Sequence, residues 1–192
     1  MKSFNLIIVA ILISFGFNTL NAQTYRLNNK ASEVLVDGTS NIHDWTIEAE
    51  SASGTISLNQ NGKDLNGISK LEFTVEAESL KSGKGGMDKN TYKALNTDDH
   101  KLITYQLKEV NNIEKLSDNS YKVSTTGIME IAGTKKNIRL DFNLKTNSNT
   151  ISLSGEHNLK MTDYGVEPPT AMFGTITTGD TVKIKFKTQF SI

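Results

Sequence analysis

Three histidines, His43, His100 and His157, are the side chains in this sequence best suited to proton transfer or metal ligation, and two have acidic neighbours. Asp44 follows His43, and Asp98 and Asp99 precede His100. An imidazole beside a carboxylate can hold a divalent metal or move a proton. Ligand sets of that kind recur at short fixed spacings, whereas these histidines lie far apart and repeat no known ligand pattern. The sequence has no H-E-x-x-H, no glycine-rich phosphate loop and no G-x-S-x-G elbow. Cysteine is absent, which removes disulfides, thiolate nucleophiles and sulfur-ligated metals. Scattered Asp and Glu give acid–base catalysis no converging pattern. No catalytic residue, metal or cofactor is therefore assigned, and the chemistry to look for is binding.

The elements that would position a binding site come from a chain of 192 residues, 36% hydrophobic and 22% charged, with 21 basic and 21 acidic side chains. That composition describes an ordinary soluble domain. The charge balance argues against nucleic acid as partner, since phosphate recognition needs clustered Lys and Arg. In "MKSFNLIIVAILISFGFNTLNAQ", Lys2 precedes an apolar run from Leu6 to Phe17. About a dozen residues fall short of the ~20 of a spanning helix, so residues 1–22 read as a cleaved signal peptide with the cut after Ala22. Export to the periplasm or the medium is expected, with residues 23–192 as the mature domain. No cysteine follows the cut, which excludes a lipid-anchored lipoprotein.

Beyond Gln23 the dominant signal is period two, which sends alternate side chains to opposite faces of a sheet. In "TVKIKFKTQF", Val182, Ile184, Phe186 and Phe190 share one face and Lys183, Lys185, Lys187 and Gln189 the other. "IRLDFNLK" and "LEFTVEAE" repeat the pattern. "EVLVDG", "HDWTIEAE", "TISL", "ITYQLK", "YKVSTTGIMEI" and "ISLSGEHNLKM" continue it more weakly, giving eight or nine strands. Gly, Asn and Asp clusters such as "NQNGKDLNG", "SDNS" and "TNSNT" supply the turns. Two segments break the rhythm. Met87 to Leu95 has helix-forming residues, and "GVEPPTAMFG" carries the only two prolines, which lack the amide donors a ladder needs.

A sandwich and a barrel both satisfy this alternation. Long strands favour a barrel with a cavity, as does an inward face that includes His43, His157, Thr125, Gly127 and Gly155. The Pro-Pro segment could pack across one open end. The lysine row is either a solvated outer face or a surface for transient contact with an anionic membrane.

Four blocks carry a family resemblance: "SNIHDWTIEAESASGTI", "SGKGGMDKNTYKALNTDDHKLITYQL", "TTGIMEIAGTKKNIRL" and "MTDYGVEPPTAMFGTITTGDTVKIKF". The chain resembles the YceI-like, polyisoprenoid-binding family of secreted bacterial proteins. One departure is Lys101, where the family often has proline after the position of His100. The resemblance implies an extended, eight-stranded antiparallel, lipocalin-like β-barrel with a short helical insertion. It also implies non-catalytic binding of an isoprenoid lipid or quinone in an apolar tunnel, with the proline block closing one end.

Inward parity nominates Trp45, Ile47, Phe73, Tyr105, Met129, Phe142, Met161 and Phe186 as residues lining the tunnel, and position in the end segment adds Met172 and Phe173. His43 and His157 are candidate headgroup contacts. For each, the alternative is plain packing. Two other functions stay open: a β-sandwich adhesion or interaction module with a filled core, and an enzyme acting on a small lipid. Oligomeric state is not readable, and a homodimer is compatible.

Overall fold

The computed structural model describes residues 23–61 and 64–192, so the expected signal peptide lies outside the described residues. The strands are β1 (Thr24–Leu27), β2 (Glu33–Thr39), β3 (Asp44–Ala49), β4 (Ala52–Asn61), β5 (Asp64–Glu76) and β6 (Leu80–Lys81). After the helix α1 (Gly85–Leu95) come β7 (Leu102–Ser117), β8 (Ser120–Ile131), β9 (Thr134–Asn147) and β10 (Thr150–Lys160). The short pair β11 (Thr170–Ala171) and β12 (Ile176–Thr177) precedes the last strand, β13 (Thr181–Ser191).

Every pairing is antiparallel, and the strands close on themselves. The order β1-β4-β5-β7-β8-β9-β10-β13 returns to β1, a ring of eight, with β2, β3 and β6 prolonging its walls at one end. Closure rests on Arg26 opposite Ser191 and Leu27 opposite Phe190. The fold is thus the closed barrel, not the sandwich, and a closed sheet leaves no free edge around most of its circumference.

Two breaks in the walls are repaired by hydrogen bonds outside the ladder. Between β1 and β2 the 3₁₀ turn Asn29–Ala31 interrupts pairing with β13. There the Asn28 amide donates to the Gln189 carbonyl at 2.8 Å, and the Gln189 amide to Ser32 Oγ at 3.0 Å. Between β3 and β4, Asn29 Nδ2 donates to the Glu50 carbonyl at 2.7 Å while its Oδ1 accepts from the Ala52 amide at 2.9 Å. Backbone groups the ladder leaves unpaired are satisfied in this way.

The barrel is packed at one end and hollow at the other. Register places Tyr25 opposite Ile56, Tyr121 opposite Leu144 and Ile151 opposite Phe190, all on the inward face. All six are buried, and they form a dense plug. The Leu65 amide donates to Tyr121 Oη at 3.1 Å, which satisfies the one polar atom of that ring. At the other end, β5 and β7 pair from Glu72 to Glu76, whereas β6 ends the sheet with no partner on its far side. Helix α1 packs beside that free side. Tyr92 ties it down: its hydroxyl donates to the Glu78 carbonyl at 2.8 Å and lies 3.1 Å from the Leu80 carbonyl, and Asn96 ends the helix in the left-handed region at φ 50°.

Candidate functional site

The hollow end holds a cavity of about 720 Å³. Inward residues of β2, β3, β5 and β13 form its barrel wall, among them Val34, Val36, Ala49, Val75, Val182 and Ile184. One stripe of α1, Met87, Asn90, Thr91, Ala94 and Leu95, forms another side, at the helical spacing that keeps side chains on one face. A second hollow of about 90 Å³ lies against the first and shares Val34, Phe73, Tyr105, Met129 and Ile184 with it; Phe142, Phe186 and Phe190 also line it. Together they trace an apolar passage that stops at the packed plug.

The strap joining β10 to β13, residues 161–180, completes the mouth. Asp180 closes its base: its carboxylate accepts from the Thr162 amide at 2.9 Å and the Thr162 hydroxyl at 2.8 Å. Those bonds hold the Asp180 carboxyl below the usual range. From the strap, Tyr164, Val166, Pro169, Ala171 and Ile176 face the cavity. A second loop fastens it from across the mouth. Asn41 Nδ2 donates to the Thr175 carbonyl at 2.9 Å, Asn41 Oδ1 accepts from the Thr177 amide at 3.0 Å, and the Gly179 amide donates to the Thr39 carbonyl at 2.9 Å.

Most residues nominated from the sequence meet here. Trp45, Ile47, Met161 and His43 line the large cavity; Phe142, Phe186 and His157 line the small one; Phe73, Tyr105 and Met129 belong to both. The Trp45 ring lies across Gly38, which leaves no room for a Cβ, and Trp45 Nε1 donates to the Thr39 carbonyl at 3.0 Å. Tyr105 similarly lies over Gly127, where a Cβ would come within 2.5 Å of the ring. Met172 and Phe173 take no part in the wall. They sit in the turn between β11 and β12 with φ of 52° and 57°, and that turn carries their side chains out to solvent.

The polar groups of the passage are few. Tyr105 Oη and Thr125 Oγ1 are 2.9 Å apart, and Thr125 Oγ1 donates to the Leu140 carbonyl at 3.0 Å. Burial raises the Tyr105 phenol above its usual value, partly offset by the Thr125 bond. Burial also pushes the His157 imidazole down, against a smaller opposing pull from Asp141. That shift favours the neutral imidazole, which suits an apolar surround. His43 is exposed at the rim, its Nδ1 2.8 Å from the Asp44 carbonyl. His100 is elsewhere, beside Gly133 in the turn after β8. Among the described residues no three acidic or imidazole groups converge on a metal-sized space.

Val36, Ala49 and the α1 stripe were not among the residues nominated from the sequence. The signals that would have found them are the shared parity of Val36 with Val34 and of Ala49 with Ile47, and the i, i+4, i+7 spacing of Met87, Thr91 and Ala94.

The model of the YceI-like domain matches residues 25–190. The fold is similar to that of Burkholderia cenocepacia BcnA, at 17% identity and TM-score 0.66 over 85% of this chain and 98% of that one. A polyisoprenoid binding domain from Saccharophagus degradans, implicated in plant cell wall breakdown, superposes with TM-score 0.67 at 14% identity, covering 87% of this chain and 97% of that one. The Campylobacter jejuni YceI protein gives TM-score 0.59 at 17% identity over 100% and 99% of the two chains. At these identities the likeness establishes the fold. No curated protein matches.

Proposed function

The chain belongs to the YceI-like family, and from that premise we propose that it binds and carries a long-chain isoprenoid lipid or quinone, without catalysis, outside the cytoplasm. The observation that carries the reading is the apolar cavity of about 720 Å³ inside a closed barrel. Its size falls within the range of small-molecule sites. Its wall offers hardly any hydrogen-bond partners, which suits a hydrocarbon chain that has none to satisfy.

Energetics support an occupant. The hollow is open at its mouth, and water filling it would find few hydrogen-bond partners on so apolar a wall. A hydrocarbon guest removes that penalty and contributes ~0.8 kcal/mol for each CH₂ taken from water. A few isoprene units suffice to offset the several kcal/mol of association cost. The description of the Saccharophagus degradans domain as polyisoprenoid-binding points to the same guest class.

The test is organic extraction of gently purified protein followed by mass spectrometry, with uptake of an added isoprenoid quinone as the complementary arm. A stoichiometric prenyl lipid is expected. A blank extract together with no uptake of the quinone would overturn the reading.

A further inference from the structure

The strap ends in the two most exposed large apolar side chains among the described residues, Phe173, which is fully exposed, and Met172, at 70%. Both are in the left-handed backbone region, with Gly174 following at φ 88°. Turns of this kind normally carry Asn-Gly or Asp-Gly, because bulky side chains are disfavoured at positive φ. A hairpin tip selected for stability alone would not be Met-Phe. An unfavoured backbone that presents apolar groups to solvent is the sort of outlier from which a functional role can be inferred.

The tip has neighbours of the same character. Ile42, 58% exposed, follows Asn41, whose side chain is bonded to Thr175 and Thr177, so the two loops form one rim. Ile42 also lines the large cavity, which makes the apolar rim continuous with the apolar interior. Lys84 and Lys89 of the α1 region line the same mouth. Among the described residues neither has a carboxylate within salt-bridge distance. On the lysine row of β13, two of the three are paired, Lys185 2.6 Å from Asp37 and Lys183 3.4 Å from Glu156. Free positive charge therefore lies at the mouth.

We propose that this rim docks on an anionic lipid bilayer. Met172, Phe173 and Ile42 enter the boundary between headgroups and acyl chains, and Lys84 and Lys89 face the headgroups. The proposal rests on the cavity being a lipid site and adds the route of loading. A hydrocarbon guest crossing a water gap between bilayer and barrel would expose its chain, whereas a seated rim lets it pass from one apolar phase to the other. A protein partner would need a complementary surface but would not require the apolar rim to run on into the cavity.

The experiment uses chains whose intact mass shows residues 1–22 to be absent, floated with vesicles of phosphatidylcholine alone or mixed with phosphatidylglycerol. Wild type is expected to float with the anionic vesicles, less so as salt rises. The double variant Met172→Asn with Phe173→Gly suits the positive φ values, so its melting temperature should not fall. Its vesicle affinity should drop about tenfold or more. The Lys84→Glu, Lys89→Glu pair should lose the preference for phosphatidylglycerol. A double tip variant that floats like wild type, or a wild type that ignores both vesicles and reserves the tip for a protein partner, would overturn the proposal. Either outcome leaves the extraction result standing, because that assay reads the contents of the cavity.

Discussion

Replacing Ala49 by phenylalanine gives a hollow barrel and a filled one opposite signs of stability change. Ala49 ends β3, is buried, and faces the cavity of about 720 Å³. In lipid-free protein the new ring enters apolar space that already exists and gains most of the ~1.5–3 kcal/mol that burial of a large apolar side chain is worth. A net gain of about 2 kcal/mol raises the melting temperature by roughly 4–8 °C for a chain of this size. Were the space already filled with side chains, the same ring would overpack it at a cost of about 1–3 kcal/mol. Calorimetry of delipidated wild type and Ala49→Phe measures that sign. The rise in melting temperature that wild type shows on adding lipid should shrink in the variant, because the ring occupies part of the guest's volume. A lipid-free Ala49→Phe protein with native circular dichroism that melts below wild type would refute the hollow.

Two other perturbations probe the passage. Phe73 lies where the two hollows meet, so Phe73→Lys places an ammonium against hydrocarbon and should abolish lipid retention, while Phe73→Leu keeps it. A folded Phe73→Lys protein with its full lipid complement would remove Phe73 from the site. His157 supplies a pH dependence: burial lowers its native pKa, so between about pH 6.5 and that lower value the unfolded chain binds more protons than the native one. Stability from this source therefore falls as pH drops from about 6.5, and His157→Gln should flatten that part of the curve. Urea midpoints of both proteins across the range measure it, and parallel curves would assign the slope to other groups.

The barrel was legible where alternation holds and illegible where bulges reset it. β7 runs from Leu102 to Ser117, but only "ITYQLK" reads as strand. Beyond it, register shifts between Leu107 and Glu109 and between Val110 and Asn112 each insert an unpaired residue. The inward side chains Leu107, Val110 and Ile113 consequently recur every third residue, a spacing that no period-two reading detects. β1 escaped because four residues, "TYRL", give too short a window, although they are what closes the ring. Met172 and Phe173 were misplaced for a different reason. Apolar character marks a residue for burial only on average, and a turn with positive φ at both positions turned these two outward.

Parity separates inside from outside but is silent about position along the barrel axis, and the division between packed and hollow ends depends on that position. Register supplies it. Toward the plug the inward faces carry Tyr25, Tyr121, Phe142, Leu144 and Phe190, large enough to meet across the barrel. Toward the mouth Val34, Val36, Ala49, Val75 and Val182 share the wall with Trp45, Ile47 and Met161, and α1 spreads that wall where β6 and β7 do not pair. Side chains of mixed size on a wall opened by a helix do not all meet across it, so space remains between them. Enlarging the small members of that wall would take up this space without changing the strand pattern, which is why a single added ring at position 49 probes it.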